Sequence, residues 1–129
     1  MSFESDLYSH LKADATIAGL VGTRIYPMLL PQDTTKPAIV YVIVGASDQI
    51  DLDSDDGNLQ EVRVQIDNWC ASHADVVTLA EAVRKRMQSA AMTSTGGFKL
   101  GSHFENSGYD PETKLYRKMQ EFSCWYRTT

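Results

Sequence analysis

The chain has 129 residues and a mass of 14.4 kDa, enough to bury one core without disulfides or a structural metal. Its 43% hydrophobic and 22% charged residues exclude a disordered, collagen-like or coiled-coil protein. The net charge is −5, and one acidic segment accounts for all of it, with Asp48, Asp51, Asp53, Asp55 and Asp56. Because the net charge is negative, we do not expect the protein to grip nucleic acid through clustered basic side chains. With neither a leader-like N-terminus nor a run of about 20 apolar residues, we expect a soluble protein that is not exported.

Two short helices are predicted at the N-terminus. Apolar residues recur every four positions from Phe3 to Leu11, which is the spacing of a helix with one buried face. Asp14 is well placed to cap a second helix. The prolines that follow confine residues 26–37 to an edge strand or an extended arm, because proline lacks a backbone donor.

Two strands and an intervening loop are predicted next. The run from Ala38 to Val44 is β-branched and aromatic and is followed by Gly45, so it predicts a strand that is buried on both faces and ends there. Residues 47–58 are too charged to pack and predict an exposed loop. Apolar and polar residues alternate over residues 62–67, as in a strand with one wet face.

The second half of the chain predicts one long helix and two further strands. Ser72 is a good N-cap for a helix that runs to about Ser89. A strand over 98–104, a turn over 106–112 and a long final strand over 115–126 follow. The predicted fold class is therefore α+β, a mostly antiparallel sheet with an N-terminal helix and one longer central helix packed on one face, plus an extended arm or loop.

Few residues suit catalysis or metal binding. The acidic segment resembles the start of a calcium loop, but counting from Asp51 puts Asp56 at the required glycine and Val62 at the required glutamate. Cys70 and His73 lie three residues apart where a strand meets a helix, yet no orienting group accompanies them. We assign no catalytic, cofactor-binding or metal-binding residue, and we expect both cysteines to stay reduced.

Four aromatic residues allow two interpretations. Trp69 and Trp125 lie near the ends of the two long predicted strands, each beside a cysteine. Tryptophan and tyrosine anchor cores and sheet faces, and they are also enriched at protein interfaces. We therefore predict Tyr26, Tyr41, Trp69 and Trp125 as interface or core anchors.

Four groups of segments follow one another in a distinctive order. They are Leu11–Val21 leading to Arg24–Pro27; Pro37–Tyr41; Val64–Trp69 running into Leu79–Val83; and Tyr116–Arg117 with Phe122–Tyr126. In this order and spacing they resemble the tail completion, or tail terminator, family of long-tailed bacteriophages and prophages. The resemblance spans nearly the whole chain and implies a single tail-terminator-like domain over residues 1–129.

The resemblance implies a non-enzymatic structural protein of the virion tail that is assembled in the host cytoplasm. It would form a homo-oligomeric ring, a hexamer, on the head-proximal end of the tail tube, stop tube polymerisation and join tail to head. The implied partners are the tail tube protein and a head-completion or neck protein, and DNA passes through without specific binding. No membrane and no cofactor are implied. The five aspartates are then candidates for a loop facing the ring lumen or a contact surface.

Three alternatives stay open at this point. The nearest is a neck or head-completion protein at the same junction. From other classes come a small enzyme that depends on Cys70 and a calcium-responsive binding module.

Overall fold

The structure, a computed structural model, describes residues 3–31, 35–49, 58–90, 92–93 and 96–128. None of the helices in these ranges is long and apolar enough to cross a membrane. The elements are α1 (Phe3–Lys12), α2 (Ala15–Val21), β1 (Ile25–Pro27), β2 (Ala38–Gln49), β3 (Asn58–Cys70), α3 (His73–Gln88), β4 (Met92–Thr93), β5 (Gly96–Asp110) and β6 (Leu115–Thr128).

The predicted helices are confirmed together with their caps. The carboxylate of Asp14 accepts hydrogen bonds from the backbone N–H groups of Thr16 and Ile17 at 2.9 and 3.0 Å, which satisfies two donors at the start of α2. The hydroxyl of Ser72 accepts from the backbone N–H of Asp75 at 3.2 Å and so starts α3. These local bonds fix where each helix begins.

Within the described residues, six strands form one sheet in the order β1-β2-β3-β6-β5-β4. Only the short edge strand β1 pairs in parallel, and every other neighbouring pair is antiparallel. The three described helices contact one another and cover one face of the sheet. This arrangement confirms the α+β fold class.

The core lies between the helices and the covered face of the sheet. Alternate residues of the strands point into it, among them Ile39, Val64 and Phe122, and they meet Leu7 and Leu79 from the helices. All five side chains are fully buried. Burial of this apolar surface is the main force that holds the two layers together.

The prediction for β2 is wrong in two respects. The strand does not end at Gly45. The register shifts by one residue at a bulge between Ile43 and Gly45, and pairing with β3 then continues to Gln49. Burial on both faces holds only from Ala38 to Tyr41, whereas Val44 is 46% exposed. The predicted loop over 47–58 is accordingly too long, since residues 47–49 and 58 belong to the β2–β3 hairpin.

The predicted turn over 106–112 is also misplaced. Residues 106–110 continue β5 and pair with β6, and the chain turns over 111–114 instead. Pairing with a long neighbouring strand outweighs the local turn preference of Asn106 and Gly108. Strand β6 itself confirms the predicted final strand.

Both outer long strands carry a bulge at the same level of the sheet. In β2 the bulge adjoins Gly45, and in β5 it lies between Leu100 and Ser102; both flank the row formed by Arg63 and Ser123. A side chain on Gly101 would start 3.2 Å from the carbonyl oxygen of Ser123 and 3.2 Å from the indole nitrogen of Trp125. Paired bulges increase the twist of the sheet at this level.

Candidate assembly surfaces

The sheet surface opposite the helices carries alternating charges. We call it the open face, and its central residues are Glu61, Arg63, Gln65, Asp67 and Trp69 of β3 with Arg117, Met119, Glu121, Ser123 and Trp125 of β6. The period of two along each strand places these residues on one side.

The tightest group on the open face surrounds Asp67. Its Oδ1 accepts from Nε and Nη2 of Arg117 at 3.1 and 2.9 Å, and Gln65 donates to Oδ2 at 3.1 Å. The Arg117 guanidinium lies 5.6 Å from the centroid of the Trp69 ring. These neighbours leave the side chain of Asp67 only 10% exposed although no helix covers this face in the described part of the chain.

Two looser pairs lie farther along the same face. Arg63 lies 3.8 Å from a carboxylate oxygen of Glu121, and the Ser123 hydroxyl donates to Glu61 at 3.0 Å. Glu61, Arg63 and Glu121 line shallow depressions at this end of the face. The open face is therefore a polar surface on which most charges have a partner of opposite sign.

A second polar network lies between the sheet and α3. The amide of Gln120 donates to the backbone oxygen of Ala80 at 2.8 Å and to Glu105 at 3.1 Å, and its oxygen accepts from Asn68 at 2.8 Å. Lys118 contacts the other oxygen of Glu105 at 3.2 Å. Burial opposes ionisation of Glu105, but the hydrogen bonds from Gln120 and Lys118 and the Lys118 charge lower its pKa below the usual value.

Sequence reasoning missed both polar networks, although a signal for the second was present. Gln120 lies on the same parity of β6 as Tyr116, Phe122, Cys124 and Tyr126, and a glutamine among such residues indicates a buried polar side chain that needs partners. For Asp67, the alternation of apolar and polar residues along β3 predicted a solvent-exposed side chain. Its burial depends on Arg117, which is remote in sequence.

The structure separates the predicted anchors. Tyr41 is buried in the core, where burial and then the Glu4 charge raise its pKa. Trp69 and Trp125 are half-buried at opposite ends of the open face, because each lies near the C-terminal end of its strand and the two strands are antiparallel. Tyr26 lies on β1 beside Val40 and is half-buried as well. Tyr41 is therefore a core anchor, and the other three stay candidates for an interface.

Of the five aspartates of the acidic segment, one lies within the described residues. Asp48 lies in β2 opposite Gln60 of β3. Asp51, Asp53, Asp55 and Asp56 lie outside the described residues. The calcium-responsive module therefore stays an untested alternative, and within the described ranges no three His, Cys, Asp or Glu residues are grouped to hold a metal.

Both sides of the sheet end in strand edges that are only partly covered. On one side, β1 pairs with β2 only at Ile39–Tyr41. On the other, β4 pairs with β5 only at Gly96–Gly97. No strand among the described residues pairs with the outer sides of Val42–Gln49 or Phe98–Asp110. We call these two segments the β2 edge and the β5 edge.

Exposed apolar side chains lie mainly beside these two edges. Phe104 and Tyr109 lie on the β5 edge and are 59% and 50% exposed, and Val44 lies on the β2 edge. Met28 and Leu29 follow β1 on the same side of the sheet as the β2 edge. These are five of the six large hydrophobic side chains exposed among the described residues, which makes the two edges candidates for binding protein.

The environment of Cys70, the candidate nucleophile, is not that of a reactive thiol. Cys70 is fully buried, and burial together with the charge of Asp75 raises its pKa to about 11. His73 is exposed and packs its ring against Tyr116 at 5.8 Å. Burial raises the pKa of Cys124 to about 12. Both thiols are thus protonated near neutral pH, which is the opposite of what nucleophilic catalysis requires.

We expect iodoacetamide at pH 8 to alkylate neither Cys70 nor Cys124 in the folded protein. Both pKa values lie far above this pH and both side chains are buried. Mass spectrometry of the intact protein measures the modification. A sample unfolded in urea is the control and should take up two labels. Rapid labelling of Cys70 alone in the folded protein would revive the enzyme interpretation.

A family model described as tail completion protein gp17 matches residues 5–127 of the chain. The chain belongs to this family. No curated protein sequence matches it. Among solved structures, it resembles a chain of the virion of a native gene transfer agent (GTA) particle with a TM-score of 0.67 and 17% sequence identity. The likeness covers 98% of this chain and 96% of that chain and shows the shared fold.

Membership of the tail completion family confirms the resemblance noted in the sequence. It makes the protein a structural component of a phage-type virion tail. The surfaces that matter in such a protein are those that bind other protein chains. On this tail completion protein the candidates are the β2 edge, the β5 edge and the open face.

Proposed function

We propose that the protein caps the head-proximal end of the tail tube as a closed ring. In this position it stops tube polymerisation and presents the surface to which the filled head is joined. The observation that carries this proposal is the match of the tail completion family over residues 5–127. The role is structural, and the burial and raised pKa of Cys70 support the absence of thiol catalysis.

The placement of the two edges supports a ring. A ring requires two different patches on opposite sides of each subunit, because each copy binds the next in a head-to-tail manner. The β2 edge and the β5 edge lie on opposite sides of the sheet, and each carries exposed apolar side chains. A hexamer is the assembly that we propose, with the tail tube protein and a head-completion or neck protein as axial partners.

The acidic segment belongs to this proposal as well. The hairpin of β2 and β3 connects Gln49 and Asn58 at one end of the sheet, so the aspartates are attached there. Repeated around a ring, they would concentrate negative charge at one end of the DNA path. Such a field repels phosphate, so DNA passes without being bound.

Electron microscopy of tubes assembled from the tail tube protein tests the capping role. With the protein present during assembly, we expect a ring at one end of each tube and tubes of limited length. Tubes assembled without it are the control and should continue to grow. Tubes without rings and of unchanged length would refute the proposal. Rings on isolated heads but never on tubes would support the neck protein instead.

A further inference from the structure

We propose that neighbouring copies join by antiparallel pairing of the β5 edge of one copy with the β2 edge of the next. The ring would then contain one continuous sheet. This inference rests on the proposed ring and adds which surfaces meet and in which direction. Backbone N–H and C=O groups on a strand edge readily pair with another chain.

The direction of pairing follows from the number of long strands. Strands β2, β3, β6 and β5 alternate in direction along the sheet, so the two outer long strands run in opposite directions. Rotation about a ring axis that lies roughly along the strands preserves the direction of each strand. The β5 edge of one copy therefore meets the next copy's β2 edge in antiparallel fashion, and the alternation continues across the seam.

The composition of the edges favours a second copy as the occupant. Soluble proteins usually protect long strand edges with proline, charged residues or a covering element. Here neither edge segment contains proline. Although each segment has a bulge and some charged residues, apolar side chains are exposed on both, namely Phe104 and Tyr109 on one and Val44 on the other. A twofold pairing of two β5 edges would leave both β2 edges uncovered. The head-to-tail arrangement covers both edges with a single kind of contact.

The register within the sheet brings the apolar residues to matching heights. Phe104 pairs with Glu121, Glu121 with Gln65, and Gln65 with Val42, so Phe104 and Val42 lie in one row across the sheet. Val44 is two residues farther along β2. In a seam with little shear, the exposed ring of Phe104 would therefore contact the exposed side chain of Val44 on the next copy.

The helices determine which face is inside. Closing the sheet into a ring places the bulky helical layer on the convex outer side, and the open face then lines the channel. Six copies of the four long strands, at a spacing of about 4.8 Å and with the small tilt that a seam of little shear implies, would form a closed sheet about 37 Å across. This leaves room for a DNA duplex. The paired bulges add the twist that a closed sheet needs.

Disulfide trapping tests the seam. Directly opposite residues on antiparallel strands have Cβ atoms about 4.5–5.5 Å apart, which suits a disulfide. Val44→Cys is combined in turn with Ser102→Cys, Phe104→Cys or Asn106→Cys, three exposed positions on alternate residues of β5. The native cysteines are buried and need no replacement. After oxidation of assembled rings, we expect covalent ladders for one of these pairs, with weaker ladders for the pairs on either side.

The matched control replaces Val44→Cys by Val77→Cys, which is exposed on α3. This control should give no ladder with any of the three β5 positions. Rings that are visible by electron microscopy but give no ladder with Val44→Cys would overturn the seam and leave the capping role intact. Dimers formed by Phe104→Cys alone would also overturn it in favour of twofold pairing. Loss of rings in the unmodified protein would instead contradict the proposed function.

Discussion

Replacing Phe98 by alanine is expected to lower the free energy of unfolding by about 3–5 kcal/mol. The ring of Phe98 is 2% exposed and lies 5.2 Å from the Phe3 ring and 5.3 Å from the His10 ring, both of which belong to α1. The substitution removes the main aromatic contact between α1 and the sheet and leaves a cavity. Urea unfolding followed by circular dichroism measures the change.

The control for this prediction is Phe98→Leu, which retains most of the buried volume and should cost much less. Hydrogen exchange supplies a second readout. In the alanine variant, amides of α1 should exchange faster while those of α3 change little, because α1 depends on Phe98 for its attachment. A loss below about 1 kcal/mol would show that α1 is held to the sheet by other contacts.

Replacing Arg117 by methionine is expected to cost about 2–3 kcal/mol, because it leaves the Asp67 carboxylate buried with Gln65 as its remaining partner. Arg63→Met is the matched control on the same face. Arg63 and Glu121 are 3.8 Å apart with side chains 54% and 33% exposed, so this change should cost less than about 1 kcal/mol.

A double-mutant cycle tests the cause of this difference. If Arg117 acts by pairing with Asp67, then Arg117→Met combined with Asp67→Asn should cost less than the sum of the two single changes. Thermal unfolding of the four proteins in the same buffer provides the comparison. Additive costs would mean that Arg117 stabilises the sheet through its contact with Trp69 rather than through its ion pair with Asp67.

Local patterns in the sequence predicted the parts of the fold that depend on local physics. The apolar spacing of α1, the capping side chains Asp14 and Ser72, and the alternation in β6 each act within a few residues of chain. The errors lie where the length of a strand depends on pairing with a strand that is distant in sequence. Strand β2 continues past Gly45 and β5 continues past Asn106 because a long neighbouring strand supplies hydrogen bonds that no local pattern reveals.

The candidate surfaces were predictable only in part. The sequence indicated that aromatic residues could form an interface, and three of the four aromatic candidates stay open for one. It did not reveal that Asp67 would be buried by Arg117, 50 residues away, nor which segments of β2 and β5 would be left without a described neighbouring strand. Both features depend on strand order, which the sequence pattern did not determine.

The connections at the two ends of the long strands differ in chemistry, and this gives the proposed ring a polarity. At one end lie the β2–β3 hairpin, with its attached aspartates, and the end of β6; at the other lies the turn over 111–114. In the proposed ring, cyclic symmetry would put every copy of the β2–β3 hairpin at the same rim. The two rims of the proposed ring would therefore present different surfaces to axial partners, so a single small chain could distinguish a tube on one side from a head on the other.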